Sequence, residues 1–260
     1  MERRQMILVF AVLLLLSFLG AITLPKASAQ TEVVPCIDPR GCPDLTVDKN
    51  RLRQWYPVKA TFSEDHCSVV EGFTKPGTRR LLLFIYNTPN LGPGDLVIGN
   101  PSEHPEWFVF SPCHQHYHFK EYADYRLWTP EGYDMWVNLR SQADPNVVSQ
   151  DLLNEHPEVQ KHLVKGAKLG FCAVDVHPAP IHGQPLEPPK YTDCLANQGV
   201  SVGWADEYYF LLDGQWIDVT EMKAGTYVLE AEANAHHLFQ EADYSNNASA
   251  VAVTVPPAAP

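Results

Sequence analysis

Short runs of β-branched and aromatic residues, separated by glycine and proline, recur along most of this chain. The chain has 260 residues, of which 15 are glycine and 22 are proline. Such runs are typical of short strands that end in turns. The clearest are RRLLLFIYN (79–87), EYYFLLD (207–213), QWIDVT (215–220), GTYVLEAEAN (225–234) and ASAVAVTV (248–255). The stretch at 106–128 predicts two further strands or one long bent strand.

One segment has a convincing helical pattern, at residues 146–168. Ser149 and Asp151 are its candidate N-caps, and Pro157 is expected to break it in two. Because short strands outnumber this single helical stretch, the sequence predicts a mainly β fold. We expect one β-sandwich-like domain with long loops and one inserted helical segment.

The first residues have the form of an export signal. Two arginines precede an apolar run at 6–24, and the small-x-small sequence ASA at 27–29 is typical of a signal peptidase site. We therefore predict a signal peptide over 1–29 and a single mature domain over 30–260. The apolar run is long for a signal peptide, so an uncleaved N-terminal anchor is the alternative. The protein is expected to be secreted or extracytoplasmic.

The charge of the chain narrows the class of partner. The formal net charge is −12, and removal of the predicted signal peptide leaves 16 basic and 30 acidic residues, a net charge of −14. An acidic surface repels nucleic acid and anionic membranes, and it attracts cations such as amines. We expect no nucleic-acid partner, and no membrane partner beyond the possible N-terminal anchor.

Three histidines at alternate positions follow a cysteine in SPCHQHYHF (111–119). In a strand, His114, His116 and His118 would lie on one face. An undistorted strand would hold the outer two about 13 Å apart, so all three can bind one ion only if the strand bends or twists. Three neutral imidazole nitrogens suit copper or zinc. The pattern predicts such a metal site, with a polar strand face as the alternative.

Five segments resemble the lysyl oxidase family, in the family's order, over about residues 43 to 255. They are the copper-motif segment CHQHYH (113–118), the cofactor-lysine segment GAKLGFCAVD (166–175), the cofactor-tyrosine segment DEYYFLLDGQWIDVT (206–220), the C-terminal motif EADYSNN (241–247) and the N-terminal motif PDL (43–45). The chain departs from the family at 129–165, where a longer insertion stands in place of a short turn.

The resemblance implies a copper-dependent amine oxidase. His114, His116 and His118 would bind Cu(II). Lys168 would add to an oxidised Tyr208 ring, giving the organic cofactor lysine tyrosylquinone. The enzyme would oxidise a primary amine to an aldehyde and release ammonia and hydrogen peroxide. The amine is either a lysine side chain of a protein or a small primary amine.

The two cofactor residues are chosen by their spacing within the family segments. Tyr208 is preferred to Tyr209 because it lies seven residues before Gln215, which is the family's spacing. Lys168 is preferred because it lies three residues before the pair Phe171 and Cys172. Lys165 is the alternative cofactor lysine, because the insertion brings it close to the same segment.

The six cysteines of the chain can form disulfides in an exported protein. They are Cys36, Cys42, Cys67, Cys113, Cys172 and Cys194. Cys36 and Cys42 are close in sequence and are expected to pair. The resemblance implies a Cys113–Cys194 bridge. Cys67 and Cys172 lack the local partners that the family provides, so they either pair with each other or stay free.

The resemblance also implies a structural calcium site. Its ligands would be Asp44, the Leu45 carbonyl, Glu241, Asp243, Asn246 and Asn247. Such hard oxygen donors suit calcium, and the ion would tie the first strand to the last. The alternative is a turn rich in aspartate and asparagine, which forms without an ion.

The resemblance does not identify the general base of the reaction, and a function without catalysis is also considered. Asp206 and Asp124 are candidates for the base by position alone. His236 and His237 are expected to be exposed loop residues. The alternative function is an extracellular metal-binding β-sandwich without oxidase activity. The chain has no HExxH motif that would indicate a metal-dependent hydrolase.

Overall fold

The strands of the chain are short and end at turns. The structure is a computed structural model that describes residues 33–166 and 170–257. The strands in these ranges are β1 (Trp55–Phe62), β2 (Gly77–Phe84), β3 (Tyr86–Pro89), β4 (Leu96–Gly99), β5 (Phe108–Ser111), β6 (His116–Phe119), β7 (Ala123–Trp128), β8 (Leu163–Gly166), β9 (His177–Pro178), β10 (Gln198–Val200), β11 (Trp204–Tyr208), β12 (Trp216–Asp218), β13 (Gly225–Ala233) and β14 (Ala248–Val255). The predicted signal peptide, 1–29, lies outside the described residues.

The strands pair in several small antiparallel sheets. Their orders are β1-β2-β12, β10-β4, β3-β11-β9, β14-β13-β7-β8 and β5-β6. The mainly β prediction is therefore confirmed. All the described residues belong to one unit, Thr31–Pro260.

Three predicted strands have different bounds in the structure. The run at 79–87 is divided into β2 and β3. The stretch at 106–128 contains β5, β6 and β7 instead of two strands. The run at 207–213 leaves the sheet after Tyr208, because a turn follows that includes Gly214 with a positive φ of 78°. Tyr208 is thus the last residue of β11, beside the loop that forms one wall of the site.

The helices in the described ranges are short. They are α1 (Lys49–Leu52), α2 (Cys67–Val70), α3 (Pro130–Arg140), α4 (Ser149–Glu155) and α5 (Pro157–Gln160). The last three all lie between β7 and β8, which confirms the inserted helical segment. None of the described helices has the length and hydrophobicity needed to cross a membrane.

The helical prediction over 146–168 is right about its break and wrong about its end and its caps. α4 ends before Pro157, and α5 begins with it. Residues 163–166 form β8, because their backbone pairs with β7. Neither Ser149 nor Asp151 is the N-cap of α4, and the preceding residue that occupies this position makes no side-chain cap.

Buried ion pairs attach the inserted helices to the four-stranded sheet. Arg126 on β7 forms a close ion pair with Glu232 on β13, and Arg140 on α3 lies 3.0 Å from the same carboxylate. The hydroxyl of Ser149, the first residue of α4, also donates to Glu232, at 2.7 Å. Since both arginines pair with Glu232, removal of either one would leave this buried carboxylate with a single partner and weaken the attachment.

An aromatic cluster lies at the centre of the main core and reaches the candidate cofactor tyrosine. Tyr86 and Phe84 contact Tyr125 with ring centroids 5.1 and 4.7 Å apart. Phe171 packs 4.2 Å from Tyr208 and 6.0 Å from Tyr86. Large aromatic side chains bury much apolar surface and favour the edge-on and offset-stacked contacts found in this cluster. Tyr208 is therefore fixed by the core as well as by its strand.

Candidate active site

The three histidines form one cluster, although only two of them lie in a strand. His116 and His118 belong to β6, and His114 lies in the turn before it. Gln115 has a φ of 58°, a left-handed conformation that bends the chain between them. The ring centroids are 4.9, 5.4 and 5.6 Å apart. The bend that three shared ligands require is present, whereas the prediction that all three occupy one strand is wrong at His114.

The nitrogens of this cluster fit a metal such as copper or zinc. One ring nitrogen from each histidine lies within 4.8 Å of the others. The Nε2 atoms of His116 and His118 are 3.0 Å apart. The Nε2 atom of His114 is buried and has no hydrogen-bond partner. Three converging imidazoles, one with a buried unpaired nitrogen, are the donor set that copper and zinc prefer.

The disulfides differ from those that the resemblance implied. Cys36 pairs with Cys42 as predicted, whereas Cys113 pairs with Cys67 and Cys172 pairs with Cys194. The predicted Cys113–Cys194 bridge is therefore wrong, and so are both alternatives for Cys67 and Cys172, which neither pair with each other nor stay free.

Local contacts explain the observed disulfides. A hydrogen bond from Ser111 to Glu71 joins β5 to the end of α2, and this brings Cys113 next to the helix that carries Cys67. Gln198 links the other pair, because its side chain accepts from the Ala173 N–H and donates to the Cys194 carbonyl. Each bridge thus joins segments that are already neighbours.

Tyr208 lies at the inner surface of the candidate site. Its side chain is buried, and its hydroxyl donates to the carbonyl of Cys172. Burial, together with the nearby charge of Asp206, raises the pKa of the Tyr208 phenol well above its usual value. The neighbouring Tyr209 is exposed. The choice of Tyr208 over Tyr209 is therefore consistent with the structure, because only Tyr208 lines the cleft.

Lys168, the predicted partner of Tyr208, lies outside the described residues, which resume at Gly170. The described residues that follow it in sequence reach the tyrosine, because Phe171 and Cys172 both contact Tyr208. The alternative lysine, Lys165, belongs to β8, where its backbone is opposite β7 in the four-stranded sheet.

The histidines and Tyr208 line one cleft of about 610 Å³. The other lining residues are acidic or apolar, apart from a disulfide: Asp206, Glu207, Asp213, Val174, Val176, Leu211, Leu212, Cys172 and Cys194. A metal-ligand cluster and a buried tyrosine therefore face the same solvent-accessible space. The predicted copper and tyrosine residues are brought together.

The two candidate bases have opposite environments. Asp206 is buried, and neither of its carboxylate oxygens makes a hydrogen bond of good geometry. Burial raises the pKa of Asp206 well above its usual value. Burial alone would also raise the pKa of Asp124, but hydrogen bonds and charges from His236 and Arg126 lower it overall. Only Asp206 lines the cleft.

His236 and His237 are both half-buried, so the prediction that they are exposed is wrong. His236 lies 3.4 Å from a carboxylate oxygen of Asp124, and His237 stacks on Tyr244 with ring centroids 4.0 Å apart. These contacts bury the two rings. Neither histidine lines the cleft.

Two acidic residues near His114 were missed by sequence reasoning. A carboxylate oxygen of Glu71 lies 3.7 Å from Nδ1 of His114, and a carboxylate oxygen of Asp213 lies 3.7 Å from Nε2. Asp213 belongs to the tyrosine segment, and its position just after Tyr208 could have indicated it. Glu71 is far from the histidines in sequence and belongs to no recognisable motif, so only the fold reveals it.

The predicted calcium ligands come together only in part. The Leu45 N–H donates to Glu241 at 2.7 Å, and the Asn246 side chain donates to Asp44 at 3.0 Å. Asp243 is exposed. Among the described residues, the histidine cluster is the one group of three or more histidine, cysteine or acidic side chains within reach of a single ion. Calcium is therefore not supported.

Comparison with known proteins identifies relatives of this chain. A family model described as lysyl oxidase matches residues 144–256. Protein-lysine 6-oxidase from Sus scrofa is 31% identical over 219 residues, which cover 80% of this chain and 74% of the relative.

Two further relatives are longer than this chain. Protein-lysine 6-oxidase from Bos taurus is 31% identical, and the protein of that name from Homo sapiens is 27% identical. Each alignment covers 80% of this chain and 44% of the relative, so the chain spans less than half the length of these two proteins. The ordered motifs, the shared cleft and these matches together show that the chain belongs to the lysyl oxidase family.

Proposed function

We propose that this chain is a secreted copper amine oxidase that converts primary amines, including lysine side chains of proteins, to aldehydes with release of ammonia and hydrogen peroxide. One observation carries the proposal: the three histidines and Tyr208 line the same cleft. A cofactor made from a tyrosine side chain needs a redox metal near that ring, and copper can serve where zinc cannot. Membership of the family supports an oxidoreductase that acts on amines.

The histidine cluster would hold Cu(II), and Lys168 and Tyr208 would supply the side chains of lysine tyrosylquinone. When bound, these groups provide the one-electron chemistry and the electrophilic carbonyl that amine oxidation needs. The buried, unpaired Nε2 of His114 supports the metal assignment. The contact of Tyr208 with Cys172, four residues after Lys168, supports the choice of that lysine.

Asp206 is the proton acceptor in this proposal. It lies two residues before Tyr208, so both side chains project from the same face of β11. Burial raises the pKa of Asp206, which makes its ionised carboxylate a stronger proton acceptor than that of an ordinary aspartate. Asp206 would take the proton from the carbon next to the substrate nitrogen. Asp124, paired with Arg126 at 2.7 Å, is a structural residue.

The lining of the cleft suits an ammonium group on an apolar stem. Val174 and Leu211 contribute apolar surface, and Asp213 contributes a partly exposed carboxylate. Glu207 is less available, because Arg51 lies 2.9 Å from it. Opposite charge attracts the cationic amine, and the apolar walls bury its carbon chain. A lysine side chain and a small primary amine both meet this description.

Copper loading of the purified protein tests the proposed function. We expect quinone-specific redox staining, a covalent Lys168–Tyr208 cross-link in peptide mass spectra, and peroxide release when a primary amine is added. Zinc-loaded protein is the matched control, because zinc binds the same ligands but cannot oxidise tyrosine. If copper binds without cross-link or peroxide, the chain is instead a metal-binding β-sandwich without oxidase activity. A cross-link at Lys165 would correct the assignment of the lysine.

A further inference from the structure

Glu71 lies beside the turn that carries His114. It directly follows α2, and its side chain is largely buried. One carboxylate oxygen, Oε1, accepts a hydrogen bond from the Ser111 hydroxyl. The other, Oε2, lies 3.7 Å from Nδ1 of His114 and is a buried atom without a hydrogen-bond partner. A buried carboxylate oxygen that lacks a donor, next to a ring nitrogen that can be one, indicates a specific interaction.

Two further links hold Glu71 at this place. Ser111 Oγ accepts a hydrogen bond of 3.0 Å from the His114 backbone N–H, so one hydroxyl joins the carboxylate to the ligand residue. The Cys67–Cys113 disulfide connects the start of α2 to the residue just before His114. The helix end and the histidine turn are therefore joined by a disulfide and by the Ser111 hydroxyl.

We propose that Glu71 is a positioning residue for the metal ligand His114. Its carboxylate accepts the proton on Nδ1, which fixes the ring orientation and leaves the lone pair of Nε2 for the metal. Carboxylate partners of this kind orient metal-bound histidines and increase their basicity. The buried and unpaired state of His114 Nε2 agrees with this tautomer. The inference rests on the proposed copper site and concerns binding of the metal, before any amine oxidation.

Asp213 cannot perform this task. Its carboxylate lies 3.7 Å from Nε2, the nitrogen that the metal would use, and its side chain is 36% exposed. A hydrogen bond at Nε2 would occupy the ligand nitrogen and so weaken metal binding. Glu71 is on the opposite side of the ring and is the better shielded of the two carboxylates.

The test measures copper affinity of the full chain by competition with a chelator, together with the Cu(II) electron paramagnetic resonance spectrum. We compare the wild type with Glu71→Gln and Glu71→Ala. Glu64→Gln is the matched control, because Glu64 is exposed and precedes the same helix. Glu71→Gln retains an amide oxygen that can accept from Ser111, so it should fold even if Glu71→Ala does not.

We expect Glu71→Gln to weaken copper binding about 10–100-fold and to change the copper hyperfine splitting. Glu64→Gln should match the wild type in both. Side-chain nitrogen spectra of the zinc-loaded wild type should show the His114 proton on Nδ1. Affinity within twofold of wild type and an unchanged spectrum for Glu71→Gln would overturn the proposal, and so would an equal loss in Glu64→Gln.

The outcomes separate this inference from the proposed function. If the wild type binds copper and Glu71→Gln weakens it, the role of Glu71 stands even where no quinone forms. In that case, only the proposed oxidase activity is wrong. If the wild type binds no copper, both proposals are wrong.

Discussion

The two halves of the cleft are built in different ways. The histidine half comes from one local segment, residues 111–118, which a hairpin, a disulfide and Glu71 support. The tyrosine half combines β11 with the distant segment 170–172, and its central residue, Tyr208, belongs to the aromatic core. Substitution of a histidine side chain in the histidine half should therefore affect the metal more than stability. Changes in the tyrosine half should affect both chemistry and folding.

The largest expected effect is that of Tyr208→Phe. Phenylalanine cannot become a quinone, so amine-dependent peroxide release should fall to background while copper binding is retained. Loss of the hydrogen bond to the Cys172 carbonyl should also cost about 1 kcal/mol in the free energy of unfolding. Peroxide assays, metal analysis and urea denaturation measure the three quantities. Tyr209→Phe, at the exposed neighbour, should leave all three unchanged. Peroxide release by Tyr208→Phe would contradict the proposed cofactor.

His116→Ala should remove the metal and leave the fold almost intact. With one of three imidazoles lost, copper affinity should fall by at least about 100-fold, since ligand loss costs more than loss of a supporting partner. Quinone staining should disappear with the metal. His182→Ala, at an exposed histidine, is the matched control and should bind copper normally. If the His116→Ala protein stains for quinone like wild type, the metal at this site is not needed for cofactor formation.

The two disulfides near the cleft allow the halves to be tested separately. Serine substitution of both Cys67 and Cys113, which are 46 residues apart, should cost about 4 kcal/mol of stability and weaken copper binding. Substitution of both Cys172 and Cys194, which are 22 residues apart, should cost about 3 kcal/mol and impair cofactor formation at normal copper affinity. Peptide mapping without reduction must first confirm the pairs. A Cys113–Cys194 peptide would contradict this division of the cleft.

The comparison also explains what the sequence could predict. The histidine cluster is local, so alternate spacing was enough to indicate a metal site and the need for a bend. The proximity of Tyr208 to the lysine segment depends on how distant strands pair, and only the family resemblance indicated it. Glu71 and the Cys67–Cys113 bridge depend on where a four-residue helix packs, which no pattern in the sequence reveals. The mainly β fold could be predicted from short apolar runs separated by glycine and proline. The ends of individual strands are set by turns, such as the one after Tyr208, and could not be predicted.

The smallest effect concerns stability alone, and it compares the aspartate inside the cleft with one outside it. Burial raises the pKa of Asp206 above its ordinary value of 3.8. Above that pH the unfolded chain binds fewer protons at this residue than the folded chain does, so the residue makes folding less favourable as pH rises. Asp206→Asn should therefore be more stable than wild type at pH 7, because an amide does not ionise and carries no such pH-dependent cost. The difference should shrink as the pH approaches 3.

Asp124 provides the opposite case, because its pKa is lowered by His236 and Arg126 in spite of burial. Its stabilising contribution is present above the ordinary aspartate pKa and is lost as the pH falls through the lowered value. Asp124→Asn should thus be less stable than wild type at pH 7, and the loss should diminish in acid. Urea denaturation of the two variants at pH 7 and pH 3 measures both signs. Destabilisation by Asp206→Asn at pH 7 would mean that this carboxylate is charged and paired in the folded protein, and Asp206 would then be a structural residue like Asp124.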